Sequence, residues 1–99
     1  KMQVLGRAGR SSHVDFAAPG AGLWTAASVS GWRRSSGTSF ATPFVTAALA
    51  LAMARDPELR GPARVESLSK AARDLGDPGR DPVFGWGLVQ AAGDCEPAR

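Results

Sequence analysis

The stretch that most restricts the fold is FATPFVTAALALAMAR, residues 40 to 55, which is rich in alanine and leucine and has high helix propensity throughout. Phe44, Val45, Ala47, Ala48, Leu49, Ala50, Leu51, Ala52 and Met53 put apolar groups on nearly every side of such a helix. A helix with no polar face belongs inside a protein. Pro43 stands near the helix start, where a missing N–H costs little because first-turn donors have no intrahelical acceptor. Asp56-Pro57 ends the stretch. A buried helix needs covering layers on all sides, and 99 residues offer few of them, so the core is expected to be incomplete within this chain. The longest nearly apolar run, Phe44 to Ala54 with only Thr46 interrupting, is too short to cross a bilayer.

The flanking segments read as follows. VDFAAPG (14 to 20) is a short apolar stretch closed by Pro-Gly, expected to be a buried strand running into a turn. LWTAASVSG (23 to 31) alternates partially and is expected to be a second strand or a hairpin arm. RRSSGTS (33 to 39) reads as a polar loop opening on the helix. Residues 62 to 73 form an amphipathic helix, with Val65, Leu68, Ala71 and Ala72 on one face and Arg64, Glu66, Lys70 and Arg73 largely on the other. Residues 74 to 83 are loop, and FGWGLVQAA (84 to 92) is expected to enter a last short helical turn.

Composition removes several classes of function. At 43% hydrophobic and 21% charged residues the chain is an ordinary globular one, not a disordered tail. One histidine, His13, and one cysteine, Cys95, supply neither a disulfide framework nor a Cys/His zinc site. Asp74, Asp77 and Asp81 miss the spacing of a calcium loop and suit turn and capping roles, so no metal is expected. No cofactor is expected either. The net charge of +3 is local: residues 1 to 34 hold Lys1, Arg7, Arg10, Arg33 and Arg34 against Asp15. Only Trp32 beside Arg33 and Arg34 approaches the basic and aromatic interleaving of a nucleic-acid reader, so neither nucleic acid nor membrane is an expected partner. The first residue is Lys1, with no initiator methionine and no apolar leader core, so the chain reads as one entered midway.

Chemistry concentrates in SGTSFATP (36 to 43). Ser39 follows Gly37-Thr38 at the first turn of the buried helix, where unpaired backbone N–H groups and the helix dipole favour a growing oxyanion. Gly37 permits close approach, Ala41 keeps the turn slim and Thr38 adds a hydroxyl. Ser39 also has an ordinary structural reading, since serine commonly caps helices. GTSFATP resembles the serine motif G-T-S-x-A-x-P of the subtilisin-like serine proteases (peptidase S8, the subtilase family). VDFAAPG resembles the strand ending in A-P-G that precedes the serine loop in that family, and FGWGLVQAA resembles its closing G-x-G-hydrophobic segment. The α/β-hydrolase elbow G-x-S-x-G fits less well, because Ala41 occupies the last glycine position and VSGWRRSS is too polar for the preceding strand. The Ser-Glu-Asp relatives also use G-T-S, but Ala41 and the A-x-P ending favour the subtilisin branch. Ser67-Leu68-Ser69-Lys70 matches S-x-x-K without its companion motifs and reads as a helix surface.

The resemblance implies an α/β fold: residues 1 to 99 would be the C-terminal portion of a subtilisin-like three-layer catalytic domain with a parallel sheet, with the nucleophile motif and buried helix at 37 to 56. It implies a serine endopeptidase acting on peptide or protein substrates through an acyl-enzyme, secreted or periplasmic. Ser39 would be the nucleophile, its backbone N–H an oxyanion donor, Thr38 an assistant and Gly37 part of the substrate side. The family's second oxyanion donor is an asparagine, and this sequence has none. Its triad runs Asp, His, Ser, yet no acid precedes His13, which also lacks the H-G context and reads as a strand-edge histidine. The missing N-terminal part of the catalytic domain would therefore be required, and these 99 residues alone would be inactive. The alternative is a non-catalytic fragment or degenerate homologue acting as a structural or interaction module. Cys95 reads as an unpaired surface or hinge residue.

Overall fold

The computed structural model describes residues 3–6 and 8–91. Lys1, Arg7, Cys95 and Ala92, the last residue of the expected closing segment, lie outside the described residues. The order of elements is β1 (Leu23–Ala26), β2 (Trp32–Ser35), α1 (Thr38–Arg55) and α2 (Gly61–Ala71), a small α/β arrangement.

β1 and β2 form an antiparallel hairpin in which Leu23 faces Ser35, Trp24 faces Arg34, Thr25 faces Arg33 and Ala26 faces Trp32. The polar run expected to be a loop is therefore strand as far as Ser35. Its arginines pair because the hairpin is solvated, so neither face demands an apolar alternation. This hairpin is the only regular sheet among the described residues, so the expected parallel sheet is represented by a single parallel bridge, Ala17 to Leu88. VDFAAPG accordingly forms no regular strand. It runs beside the closing segment through Trp86 N–H to Asp15 C=O (2.7 Å), Ala17 N–H to Gly87 C=O (2.8 Å) and Val89 N–H to Ala17 C=O (2.9 Å). Leu88 also exchanges two backbone bonds with Arg73, at 2.8 and 2.9 Å. Residues 84 to 91 thus take no helical turn: their backbone groups are spent on two neighbours. Glycine suits that position, since a Cβ on Gly85 or Gly87 would run into the backbone of Asp15 or Arg73.

α1 starts two residues before the expected Phe40. Pro43 is consequently the sixth helical residue, beyond the orphan donors of the first turn, and it leaves the Ser39 carbonyl without its usual i+4 donor. In α2, Pro62 takes the favourable early position. Arg80 ties the ends of the layer together, donating to Asp15 Oδ1 at 2.9 Å and lying over the Trp86 ring at 5.7 Å. The acidic loop residues serve turns: Asp74 Oδ2 accepts Gly79 N–H, and Asp81 Oδ1 accepts the N–H groups of Val83 and Phe84.

The helices pack against each other, and among the described residues the buried hydrophobic side chains are Ala48 and Ala52 of α1 with Leu68 of α2. Val65 and Ala71, expected on the inward face of α2, are exposed. Phe44 is 44% exposed, Leu51 41% and Met53 50%. Full burial of such a side chain contributes about 1.5–3 kcal/mol. The radius of gyration, 14.7 Å, also exceeds the roughly 13 Å of a well-packed chain of this length. Heating the isolated 99-residue chain is expected to give a broad, weakly cooperative transition by circular dichroism and calorimetry, whereas a sharp two-state melt would contradict this view of its core.

Candidate active site

The start of α1 is set by two glycines. Gly37 caps the helix at φ 152° and ψ 158°, a region open to glycine and costly for other residues. Its N–H donates to the Gly20 carbonyl at 2.7 Å, and its own carbonyl accepts Phe40 N–H at 3.1 Å. Gly20 must be bare on its side: a Cβ there would lie 2.9 Å from the Gly37 oxygen and 3.2 Å from Ala41 Cβ. The Pro19-Gly20 turn is thus pressed against the first turn of the helix. Gly22 N–H adds a bond to Ser36 Oγ at 2.8 Å, so the segment after the turn also grips the residue before Gly37.

Thr38 and Ser39 are the first two residues of α1, and both are exposed, whereas Gly37 is half-buried. The Thr38 carbonyl accepts the Thr42 hydroxyl at 3.2 Å. No side chain caps the helix and no acid sits in its first turn, so Ser39 does not play the capping role that serine often has. The N-terminal partial positive charge of an 18-residue helix is left open to solvent beside the Ser39 hydroxyl. That arrangement can stabilise negative charge developing on an atom attacked by Ser39.

The remaining candidates stand apart from this chemistry. His13 is exposed, and its backbone N–H is held by Ser11 Oγ at 3.1 Å. Ser69 Oγ donates to the Glu66 carbonyl and Lys70 pairs with Glu66 at 3.4 Å, both on the surface of α2. Among the described residues no group of three or more His, Cys, Asp or Glu side chains is placed to hold a metal, and no helix is long and apolar enough to cross a membrane. Gly20 is the site residue that sequence reasoning passed over. Its signal was its place after proline, which marked a turn but not a turn packed on the serine loop.

A family model described as the Subtilase family matches residues 4–87. The minor extracellular protease Epr of Bacillus subtilis (strain 168) is 37% identical over 90 residues, which is 91% of this chain and 14% of that protein. The extracellular serine protease of Serratia marcescens is 41% identical over 59 residues, 60% of this chain and 6% of that protein. The crystal structure of the psychrophilic subtilisin-like protease Apa1 from the Antarctic psychrotroph Pseudoalteromonas sp. AS-11 superposes with a TM-score of 0.59 at 32% identity, covering 64% of this chain and 14% of the other. The chain therefore spans a small part of the length of the proteins it matches.

Because Gly20 and Gly37 share one contact, Gly20→Ala is expected to push the Gly37 carbonyl away and loosen the start of α1. Hydrogen exchange in the intact protein should then accelerate at Gly37 and Phe40 and stay unchanged in α2. Unchanged exchange at the start of α1 would show that the contact does not hold it.

Proposed function

Since this chain belongs to the subtilase family, we propose that it is the serine-bearing, C-terminal part of a serine endopeptidase catalytic domain, with Ser39 as nucleophile. The observation that supports this best is the exposed Ser39 at the uncapped start of α1, held by the bond between Gly37 and Gly20. The Ser39 hydroxyl attacks the carbonyl carbon of a peptide bond while a histidine from outside these residues takes its proton. The oxyanion that forms meets the Ser39 backbone N–H, which has no intrahelical acceptor, with the Thr38 hydroxyl beside it. The histidine passes the proton to the departing amine, the acyl-enzyme remains, and water releases it. Gly37, with no side chain, leaves room for the substrate backbone.

That role is not assigned to His13, which lacks the family's H-G context and is exposed, with its backbone N–H held by Ser11 Oγ. The acid, the base and the asparagine oxyanion donor come from a preceding part of the same domain. That part also covers Phe44, Leu51 and Met53, whose exposure favours a missing layer over an interior left open. Alone, the 99 residues bind no substrate productively and have no peptidase activity. The substrate is a peptide or protein, and the site of action is outside the cytoplasm, as the names of the extracellular relatives suggest.

A fluorophosphonate probe is expected to label the intact protein at Ser39, and Ser39→Ala to abolish labelling. Equal labelling of the variant would remove Ser39 from the mechanism. Absence of D-[ST]-G and H-G-T motifs upstream in the gene would favour a non-catalytic module instead.

A further inference from the structure

The hairpin and the start of α1 flank an open cleft of about 520 Å3, lined by Thr25, Arg33, Arg34, Ser35, Ser36 and Phe40 among others. Phe40 follows Ser39 directly, so the cleft abuts the turn that carries the proposed nucleophile. Its charge is one-sided. No aspartate or glutamate occurs from residue 16 to 55, while Arg33 and Arg34 both line the space. Arg34 is held on the opposite face of the hairpin, donating to the Gly22 carbonyl at 3.0 Å and stacking 4.8 Å over the Trp24 ring, with no carboxylate partner among the described residues. The Arg33 guanidinium makes no hydrogen bond or ion pair among the described residues. Strand register puts Arg33 on the same face as Thr25 and Ser35, whose hydroxyls lie 2.7 Å apart. The Arg33 guanidinium, with no acid among residues 16 to 55 to compete for it, suits a carboxylate better than any neutral or cationic group.

We infer that this cleft receives an acidic side chain of the polypeptide substrate, so that cleavage favours chains with Asp or Glu close to the bond that is cut. The inference rests on Ser39 being the nucleophile, because that reading makes the cleft a neighbour of the reacting bond. Both arginines are exposed, so the attraction is modest and screened by salt.

The test uses two internally quenched peptides that differ only in Glu or Gln next to the cut bond, with the intact protein as enzyme. The Glu peptide is expected to have a kcat/KM about two- to fivefold higher at low ionic strength. That ratio falls toward one in about 0.5 M salt, where the screening length is only a few ångströms. Arg33→Gln should lower the ratio toward one, and Arg33→Glu should turn the preference to a Lys peptide, a gain that a misfolded variant cannot show. Binding of the same peptides to the Ser39→Ala protein, followed by fluorescence anisotropy, separates the two readings. Preferential binding of the Glu peptide without cleavage by the Ser39 protein supports the cleft and overturns the peptidase reading. Cleavage with equal rates for both peptides overturns the acidic preference and leaves the peptidase reading standing. Neither preferential binding nor cleavage overturns both.

Discussion

One backbone hydrogen bond organises this structure: Gly37 N–H to the Gly20 carbonyl, 2.7 Å. It joins two segments that would otherwise be independent, the Pro19-Gly20 turn and the start of α1. Both residues have to be glycine, one because its backbone takes φ 152° and the other because a Cβ would meet the Gly37 oxygen. A chain of similar bonds stands behind them. The closing segment is paired to Ala17 through Gly87 and Val89 and to Asp15 through Trp86, so the turn itself rests on residues far along the sequence. The position of Ser39 therefore depends on segments at both ends of the chain.

The same helix that presents Ser39 raises the question of what covers it. Ala48 and Ala52 let α2 come close on one side, but the larger residues Phe44, Leu51 and Met53 remain substantially in water. A serine perched on an apolar helix is useful only if the helix is anchored, and anchoring by two alanines and Leu68 is thin. Site and core thus make the same demand. On the proposed reading, the histidine that a Ser39 nucleophile would need and the surface that the helix would need are both met by one preceding part of the domain.

The sequence foretold the elements whose signal is local. Alanine-rich residues 40 to 55 and the amphipathic spacing after Pro62 mark α1 and α2 because helix propensity and period are properties of short windows. The hairpin was only half legible: Leu23–Ala26 alternates, but Trp32–Ser35 carries two arginines and shows no apolar period, since its faces are solvated. VDFAAPG looked like a buried strand because it is apolar, yet its pairing is set by residues about seventy positions away, which no local pattern reveals. The closing G-x-G segment misled in the same way, its glycines serving close backbone passage and not a helical turn. Gly37, Thr38 and Ser39 were legible as a motif, whereas the partnership of Gly37 with Gly20, and the side of the hairpin on which Arg33 lies, appear only in three dimensions.

The most direct measurement is an experimental structure of the intact protein that contains these residues. We expect the Ser39 hydroxyl to lie within about 2.6–3.2 Å of an imidazole nitrogen supplied by the preceding part of the chain, with Phe44, Leu51 and Met53 buried beneath that same part. A structure in which Ser39 has no imidazole in reach and those three side chains still face water would contradict the central claim that one missing layer completes both the site and the core.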